Sequence, residues 1–596
     1  MKSLASLLMH LLHDEGKRCD VPVGRDAKTL AARCRDEGDS FITITLPGFA
    51  KGLEKSLEAG QAVPGSFGPF KALGSGIPAF MQGFLHRIFD KETGFLLDAP
   101  DVGCIRAVRQ FSCFSKKVLR TCTPARLRAA TEAYVECESQ VKLSLEGKLW
   151  ERFGQVADIV IGELNLHDDL LEEIVPDHGP GATQERITGN AKWTFLTWHK
   201  RLDDAGITYQ RFAKGINTPD DSCSPELLDP LDEPPVRVVF VPKTLKTPRV
   251  IAVEPVCMQF VQQGISRYLV GQIERSPLTR GHVNFRDQGI NQDLALRASA
   301  DRRLATVDMS EASDRVSMAH FQRAFASRPD LRHLMDACRS MRAQLPDGRE
   351  VDLRKFASMG SALCFPVEAL IFFISIIASR CSRAGQFPTR STVAKMARSV
   401  YVYGDDIIVP AGETSAICED LEALGFRVNA HKTFWNGKFR ESCGLDAYDG
   451  TPVTPVYLRR DVPADRGDAS GIVSTVSTAN QLYQLGLYRT AAALRKAVEH
   501  LTGTLPEVRV NSPAVGWWSA HSTWTPPTRW NRRLARWEHR VLVPETPRQD
   551  DPLDGEPALA KCWRKIGNPL VDPKHLVESP RPYSLTLKCR WVSRDY

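Results

Sequence analysis

The sequence predicts a mixed helix-and-strand protein with an α+β or α/β centre, and three observations carry that prediction. Between Leu304 and Leu458, short strand-like runs alternate with helical patterns. Upstream, two β-branched runs, Arg237–Pro242 and Arg249–Pro255, flank Lys243-Thr-Leu-Lys-Thr-Pro, which reads as two strands around a basic loop. Val400–Val409 sets two more strand-like runs around Gly404-Asp405. That is the pattern of a tight β-hairpin, with glycine supplying the unusual backbone angle.

Length and composition frame these elements. A chain of 596 residues exceeds one compact core and predicts two or three lobes. Hydrophobic content of 42% and charge of 25% exclude a disordered chain. The net charge of +7 suits a protein that handles a polyanion, although so modest an excess is also common elsewhere. Fifteen cysteines without a CxxC pair argue against metal knuckles and a disulfide scaffold, and predict a reducing cytosol. Met1–Leu12 reads as an amphipathic helix rather than a signal peptide. The longest apolar stretch, Ala369–Ala378, is too short to span a bilayer and follows Pro366 and Glu368, so no membrane segment is expected.

As far as Val175 the chain alternates turn-rich stretches (Gly60–Gly76) with helical patterns such as Arg126–Asp158. Asn217–Pro235 carries six carboxylates and no basic residue, the composition of an exposed loop or lobe boundary. Beyond the centre, Asp461–Gly471 is a polar connection and Ala479–Leu501 a helical stretch. The final eighty residues hold seven of the eleven tryptophans.

Chemistry concentrates in carboxylates. The hairpin turn presents Asp405 and Asp406 side by side, and their mutual repulsion is relieved if they bind divalent cations. A solvated Gly-Asp turn fits the same string. Leu304-Ala-Thr-Val-Asp308 is an apolar strand ending in aspartate at a sheet edge, and Asp314 follows one or two helical turns later. Each could singly be a turn or surface residue. Together Asp308, Asp405 and Asp406 could cage two Mg²⁺ ions about 3.5–4 Å apart, which is what phosphoryl transfer to a 3′-hydroxyl requires.

Lys243, Lys246 and Arg249 recur every third residue and could cradle a triphosphate, or form a solvated turn. Ser358-Met-Gly360 breaks the chain before an apolar run. It reads either as a loop that approaches a ribose or template backbone, or as an ordinary helix start. Glu368, inside that run, is expected to be buried and paired. Ile417, Leu421 and Leu424 mark one face of a helix ended by Gly425; Phe426–Asn429 reads as a strand leading to Lys432. Lys432 could protonate a leaving pyrophosphate or lie at the surface. Trp524, Arg532, Arg533 and Arg536 belong to a tail that interleaves aromatics with arginines, suited to single-stranded RNA. Structural tryptophans in a small helical lobe are the other reading.

The order of these elements resembles that of right-hand polymerases, and the strings resemble the replicase catalytic subunit of single-stranded RNA bacteriophages, the levivirus type. The similar strings are Val241–Pro255, Asp287–Gln292, Leu304–Asp314, Leu345–Gly348, Ser358–Gly360, Tyr403–Ile408, Lys432–Phe434, Phe439–Gly444, Thr454-Pro455 and Tyr457, with a fainter His178–Thr183 upstream. The resemblance implies an α+β right-hand fold of fingers, palm and thumb with an antiparallel palm sheet. It implies an N-terminal contribution to the fingers over 1–176, fingers over 177–293, palm over 294–437, and thumb with a basic, aromatic C-terminal region over 438–596.

It further implies RNA-directed RNA polymerase activity with Mg²⁺ (Mn²⁺ as a substitute) on Asp308, Asp405 and Asp406, and Lys432 in the catalytic set. Nucleotide contacts are expected at Lys243, Lys246, Arg249, Asp314, Ser358 and Gly360. Template RNA and ribonucleoside triphosphates are the implied partners, with host elongation factors Tu and Ts and a ribosomal RNA-binding protein. The implied location is the cytoplasm of an infected bacterium. The segment Ser361–Glu368 departs from the family's pattern, which has Asn-Gly after Met-Gly. Reverse transcriptase and a non-catalytic RNA-binding protein are the rival readings.

Overall fold

The computed structural model describes every residue except 1–3, 73, 167–168, 215–223, 519–523, 567–570 and 594–596. At its centre Asp406–Pro410 pairs antiparallel with Leu304–Asp308 on one side and with Tyr401–Tyr403 on the other. Ala305, Thr306, Val307, Ile407, Ile408 and Val409 are all buried, so the middle of this sheet is covered on both faces. That is why both central strands read as near-continuous apolar runs rather than as alternating ones.

The helix Cys364–Arg383 packs against the Lys148–Gly162 and Thr414–Ala423 helices. It is longer than the apolar stretch seen in the sequence, and by length and composition alone it could cross a membrane. However, 83% of its most apolar window is buried inside the protein. A helix apolar all round is what the middle of a large core requires.

A second sheet has the strand order Arg249–Val253, Val236–Val241, Arg342–Gln344, Glu350–Asp352. The first two form the predicted antiparallel pair around the basic loop, closing at Val241 opposite Arg249. Residues 4–118 and residues 434–517 build one hydrophobic core between them. In that core Leu4, Leu7, Leu8, Leu11 and Leu12 line one face of the helix Leu4–Arg18, which packs on the helix Tyr488–Thr502. The carboxylate of Asp14 caps this second helix, accepting from the Thr490 amide at 2.8 Å and the Thr490 hydroxyl at 2.7 Å.

Several expected elements differ. The stretch Ala479–Leu501 is two helices, Ala469–Gln484 and Tyr488–Thr502, broken where Gly486 takes a φ of +79°. Arg126–Asp158 is likewise two helices, Pro124–Gln140 and Lys148–Gly162. Phe426–Asn429 forms a single bridge, Met309 to Val428, rather than a strand. Part of Asn217–Pro235 lies outside the described residues, and the rest is mostly exposed, including the short strand Glu226–Leu228, with Glu233 buried. The tail is no helical lobe: Thr528–Asn531, Arg536–Glu545 and Thr586–Ser593 form an antiparallel sheet.

Candidate active site

The hairpin forms as its sequence predicts. Tyr403 pairs with Asp406, leaving Gly404 and Asp405 as a two-residue turn in which Gly404 has a φ of +62°. A second constraint holds this glycine. A side chain here would sit 2.1 Å from the ring of Phe365, which packs edge-on against Tyr403 with centroids 5.4 Å apart. The turn is therefore clamped by the helix that follows Ser358–Gly360.

Asp308 and Asp406 are direct cross-strand partners, so their side chains leave the same face of the sheet, beside the turn that carries the exposed Asp405. Burial raises the Asp308 carboxyl, and the negative charges of Glu441 and Asp405 add to this against Lys432 and an Asn429 hydrogen bond. Burial also pushes Asp406 up to about 7, with Asp405, Asp308 and Glu441 adding repulsion. A buried cluster of mutually repelling carboxylates is the donor set a divalent cation stabilises. Among the described residues no three such groups already stand at metal-holding distances. Asp308 accepts from Asn429 Nδ2 at 2.7 Å and from Lys432 Nζ at 3.3 Å.

Two of these neighbours sharpen the sequence reading. Lys432 joins the carboxylates rather than the surface, donating also to Glu441 at 3.1 Å. Burial works against its charge, but Glu441 and Asp308 more than offset that and raise it. Glu441 is a fourth carboxylate of the cluster that the sequence reading passed over. Burial alone would raise it, and Lys432 and Lys116 hold it down. Its signal was present in Phe439–Gly444, where it sits in a strand whose Glu441 amide donates to Thr306 of the central sheet.

The basic loop faces this cluster. Lys243, Lys246 and Arg249 are exposed, and among the described residues none has a carboxylate in ion-pair contact. The protein around Lys243 disfavours its charge although its tip is open to solvent, and Arg249 and Lys432 lower it further against the pull of Asp405 and Asp308, so it lies within their field. The loop is tied down from the N-terminal region: Arg126 donates to the Leu245 carbonyl at 3.0 Å and the Cys122 thiol to that of Thr244 at 3.2 Å. Lys51 comes from that region too. Burial lowers it first, then the charges of Lys116, Lys246 and Lys432, which places a further lysine beside the loop. Composition and spacing gave no sign of it.

The Ser358–Gly360 loop lies against the basic hairpin, with the Ala252 amide donating to the Met359 carbonyl at 2.8 Å. A side chain on Gly360 would stand 1.9 Å from the Ala252 carbonyl oxygen, at a φ of +129°. The chain's own strand thus demands this glycine. Ser358 is buried and hydrogen-bonded to the Tyr134 hydroxyl at 3.0 Å. Asp314 sits in a single 3-10 turn, Ser313–Arg315, and its Oδ1 accepts from Lys355 Nζ at 2.8 Å. Glu368 is buried as expected, and among the described residues no cation is in ion-pair contact with it. Burial holds its carboxyl well above the usual range, with the charges of Asp405 and Asp314 adding to that, and its neighbour is the Cys364 thiol at 3.8 Å.

The tail residues lie in the C-terminal sheet instead. Trp530 and Trp537 pair across the strands, with centroids 5.4 Å apart and both rings about half exposed. Trp524 is also exposed. Arg536 is held by the buried Glu538 at 3.0 Å, together with Arg529 at 2.9 Å. Arg532 and Arg533 in the connecting turn have no ion-pair partner among the described residues.

Residues 221–466, which contain the central sheet with its three aspartates, Glu441, Lys432 and the basic hairpin, match the sequence model of the family described as RNA replicase, beta-chain. The RNA-directed RNA polymerase subunit beta of Qbeta virus (strain MX1) is 39% identical over 231 residues, which are 38% of this chain and 36% of that protein. The RNA-directed RNA polymerase beta chain of Escherichia phage MS2 is 34% identical over 225 residues, covering 38% of each. The chain thus resembles this family over a segment spanning little more than a third of these relatives' length. The solved RNA-dependent RNA polymerase of bacteriophage phi12 aligns over 77% of both chains at 10% identity with a TM-score of 0.36, too distant a likeness to define the fold.

Proposed function

We propose that this protein is an RNA-dependent RNA polymerase that copies the genome of a single-stranded RNA phage in the cytoplasm of its bacterial host. The observation that carries this reading is the cross-strand pair Asp308–Asp406 beside Asp405, in the segment that matches the replicase family. The sheet around that pair would be the palm, within 294–437. The basic hairpin within 177–293 would belong to the fingers, with 1–176 contributing, and 438–596 would form the thumb and its C-terminal extension.

Asp308, Asp405 and Asp406, with Glu441 in reach, would hold two divalent cations, Mg²⁺ in the cell and Mn²⁺ as a substitute. Bound there, the cations would neutralise charge on the triphosphate and lower the pKa of a primer 3′-hydroxyl. The chain's own residues do the rest. Lys243, Lys246 and Arg249 would orient the triphosphate, their charges being uncommitted. Lys432 keeps its proton while it faces Asp308 and Glu441, and would serve as a donor to departing pyrophosphate once Asp308 is taken up elsewhere. Asp314, Ser358 and Gly360 would border the sugar, and Arg532 and Arg533, with Trp524, Trp530 and Trp537, would contact single-stranded RNA. Arg536, committed to Glu538, would contribute less.

The test is incorporation of labelled nucleotides on an RNA template with Mg²⁺, comparing ATP with dATP, with host-cell extract supplied in a parallel arm. RNA-templated synthesis from ribonucleotides is expected. Preference for dATP would establish the reverse transcriptase reading, and RNA binding without synthesis in either arm the binding-protein reading.

A further inference from the structure

Both residues expected near the sugar, Asp314 and Ser358, are tethered to one buried lysine that no motif points to. Lys355 is completely buried. Its ammonium donates to Asp314 Oδ1 at 2.8 Å, lies 3.1 Å from Glu138 Oε2, and stands 3.8 Å above the ring of Tyr134. The Tyr134 hydroxyl in turn bonds Ser358 at 3.0 Å. Glu138 is fixed independently, its Oε1 accepting from the backbone amides of Arg354 and Lys355. Tyr134 and Glu138 lie one helical turn apart on Pro124–Gln140, so the same helix face serves both ends of the network.

Within this network only Asp314 opens outward. Its side chain is 25% exposed, against 0% for Lys355 and 6% for Glu138. The 3-10 turn that carries Asp314 lies six residues beyond Asp308 and packs on the helix Cys364–Arg383, whose Phe365 covers the Gly404-Asp405 turn. With Oδ1 occupied by Lys355, Oδ2 remains as a fixed acceptor for a hydroxyl donor. A free aspartate in a short 3-10 turn would rotate about two bonds and lose that direction.

We propose that Lys355, through its contacts with Asp314, Glu138 and Tyr134, is a positioning residue that sets the preference for ribose over deoxyribose. The inference rests on the polymerase reading and deepens it. Lys355 does not touch substrate; it orients the carboxylate that accepts the ribose 2′-hydroxyl, a contact that a deoxyribonucleotide cannot offer. A site with a hydrogen-bonding group so fixed discriminates against the analogue lacking its partner, because the group is then left unpaired.

The experiment measures kcat/KM for ATP and for dATP, together with Tm, in wild type, Lys355→Gln with Glu138→Gln, Tyr134→Phe and Asp314→Ala. The double variant replaces a buried ion pair by two amides, so no unpaired charge is left between Lys355 and Glu138. In it the ATP-to-dATP ratio is expected to fall about tenfold, with the loss confined to ATP. Asp314→Ala should match that loss, and Tyr134→Phe should move the ratio less, in the same direction. A purely structural lysine would lower Tm and depress both nucleotides alike, leaving the ratio unmoved, and that result overturns the proposal. Should the double variant not fold, an unmoved ratio in both Asp314→Ala and Tyr134→Phe overturns it equally. Wild type that polymerises neither nucleotide overturns the polymerase reading and this inference with it; wild type that prefers ATP while the variants keep its ratio overturns this inference alone.

Discussion

Asp308 stands directly opposite Asp406 across an antiparallel strand pair, 98 residues apart in sequence by their numbers and neighbours in register. A pair of carboxylates placed so, with the cross-strand spacing of about 4.5–5.5 Å between their Cβ atoms, raises the cost of ionising both unless a cation lies between them.

The first prediction follows from that pair. Asp308→Asn and Asp405→Asn should keep the fold, because each removes charge from a cluster dominated by repulsion. Template affinity should stay near wild type, while nucleotide incorporation falls by about 100-fold or more. Melting temperature, RNA binding by filter retention and single-turnover synthesis together check this. Near-normal synthesis in either variant would remove the aspartates from the mechanism.

The C-terminal sheet separates two kinds of arginine. Arg536 and Arg529 flank the buried Glu538, whereas Arg532 and Arg533 sit free in the turn beside the exposed Trp530 and Trp537. Replacing Arg532 and Arg533 together by Ala should weaken RNA binding and reduce the slope of log K against log salt by about 1.4, at roughly 0.7 per phosphate contact on a single strand. Arg536→Ala should instead lower Tm with little change in that slope. A slope unchanged by the turn variant would assign the segment a structural role.

A third prediction concerns acid stability. His320 is buried, its Nδ1 accepting from the Ser317 amide at 3.2 Å and its Nε2 facing the Leu424 carbonyl at 3.0 Å, an arrangement that uses the neutral ring. Burial lowers its pKa from 6.5 to about 3, Lys142 adding to the effect against the Leu424 contact. Because the folded value is depressed, this neutral ring contributes fully above pH 6.5, and the contribution is lost as pH falls toward 3. The stability difference between wild type and His320→Gln should therefore shrink by about 1.4 kcal/mol for each pH unit below 6.5. Taking the difference cancels the carboxylates common to both. Urea denaturation at pH 7.5, 6 and 5 measures it, and a difference independent of pH would show that the ring titrates alike in the folded and unfolded chain.

Local chemistry made much of the site legible. The Gly404-Asp405 turn and the Asp308 strand were readable because short-range backbone rules fix them, and the basic loop because β-branched runs flank it. What could not be read was pairing over distance. Glu441 and Lys51 enter the site from segments whose own patterns say nothing about Asp308. Glu368 was expected to be buried and paired; it is buried, and its neighbour is the Cys364 thiol rather than a charged group. The break at Gly486 and the sheet formed by the tryptophan-rich tail depended on packing partners rather than on periodicity. Gly360 was legible as a glycine that mattered, but the reason is the Ala252 carbonyl behind it.

The cap that Asp14 places on Thr490 joins residues 476 positions apart. At a ribosomal rate of about 5–20 residues per second, the helix Leu4–Arg18 waits on the order of a minute before the helix it packs against has been made. Throughout that interval the leucine face, Leu4, Leu7, Leu8, Leu11 and Leu12, has only the early helices Gly24–Glu37 and Val102–Cys113 to pack on. Slower elongation therefore lengthens the time for which the rest of that face stays uncovered rather than shortening it.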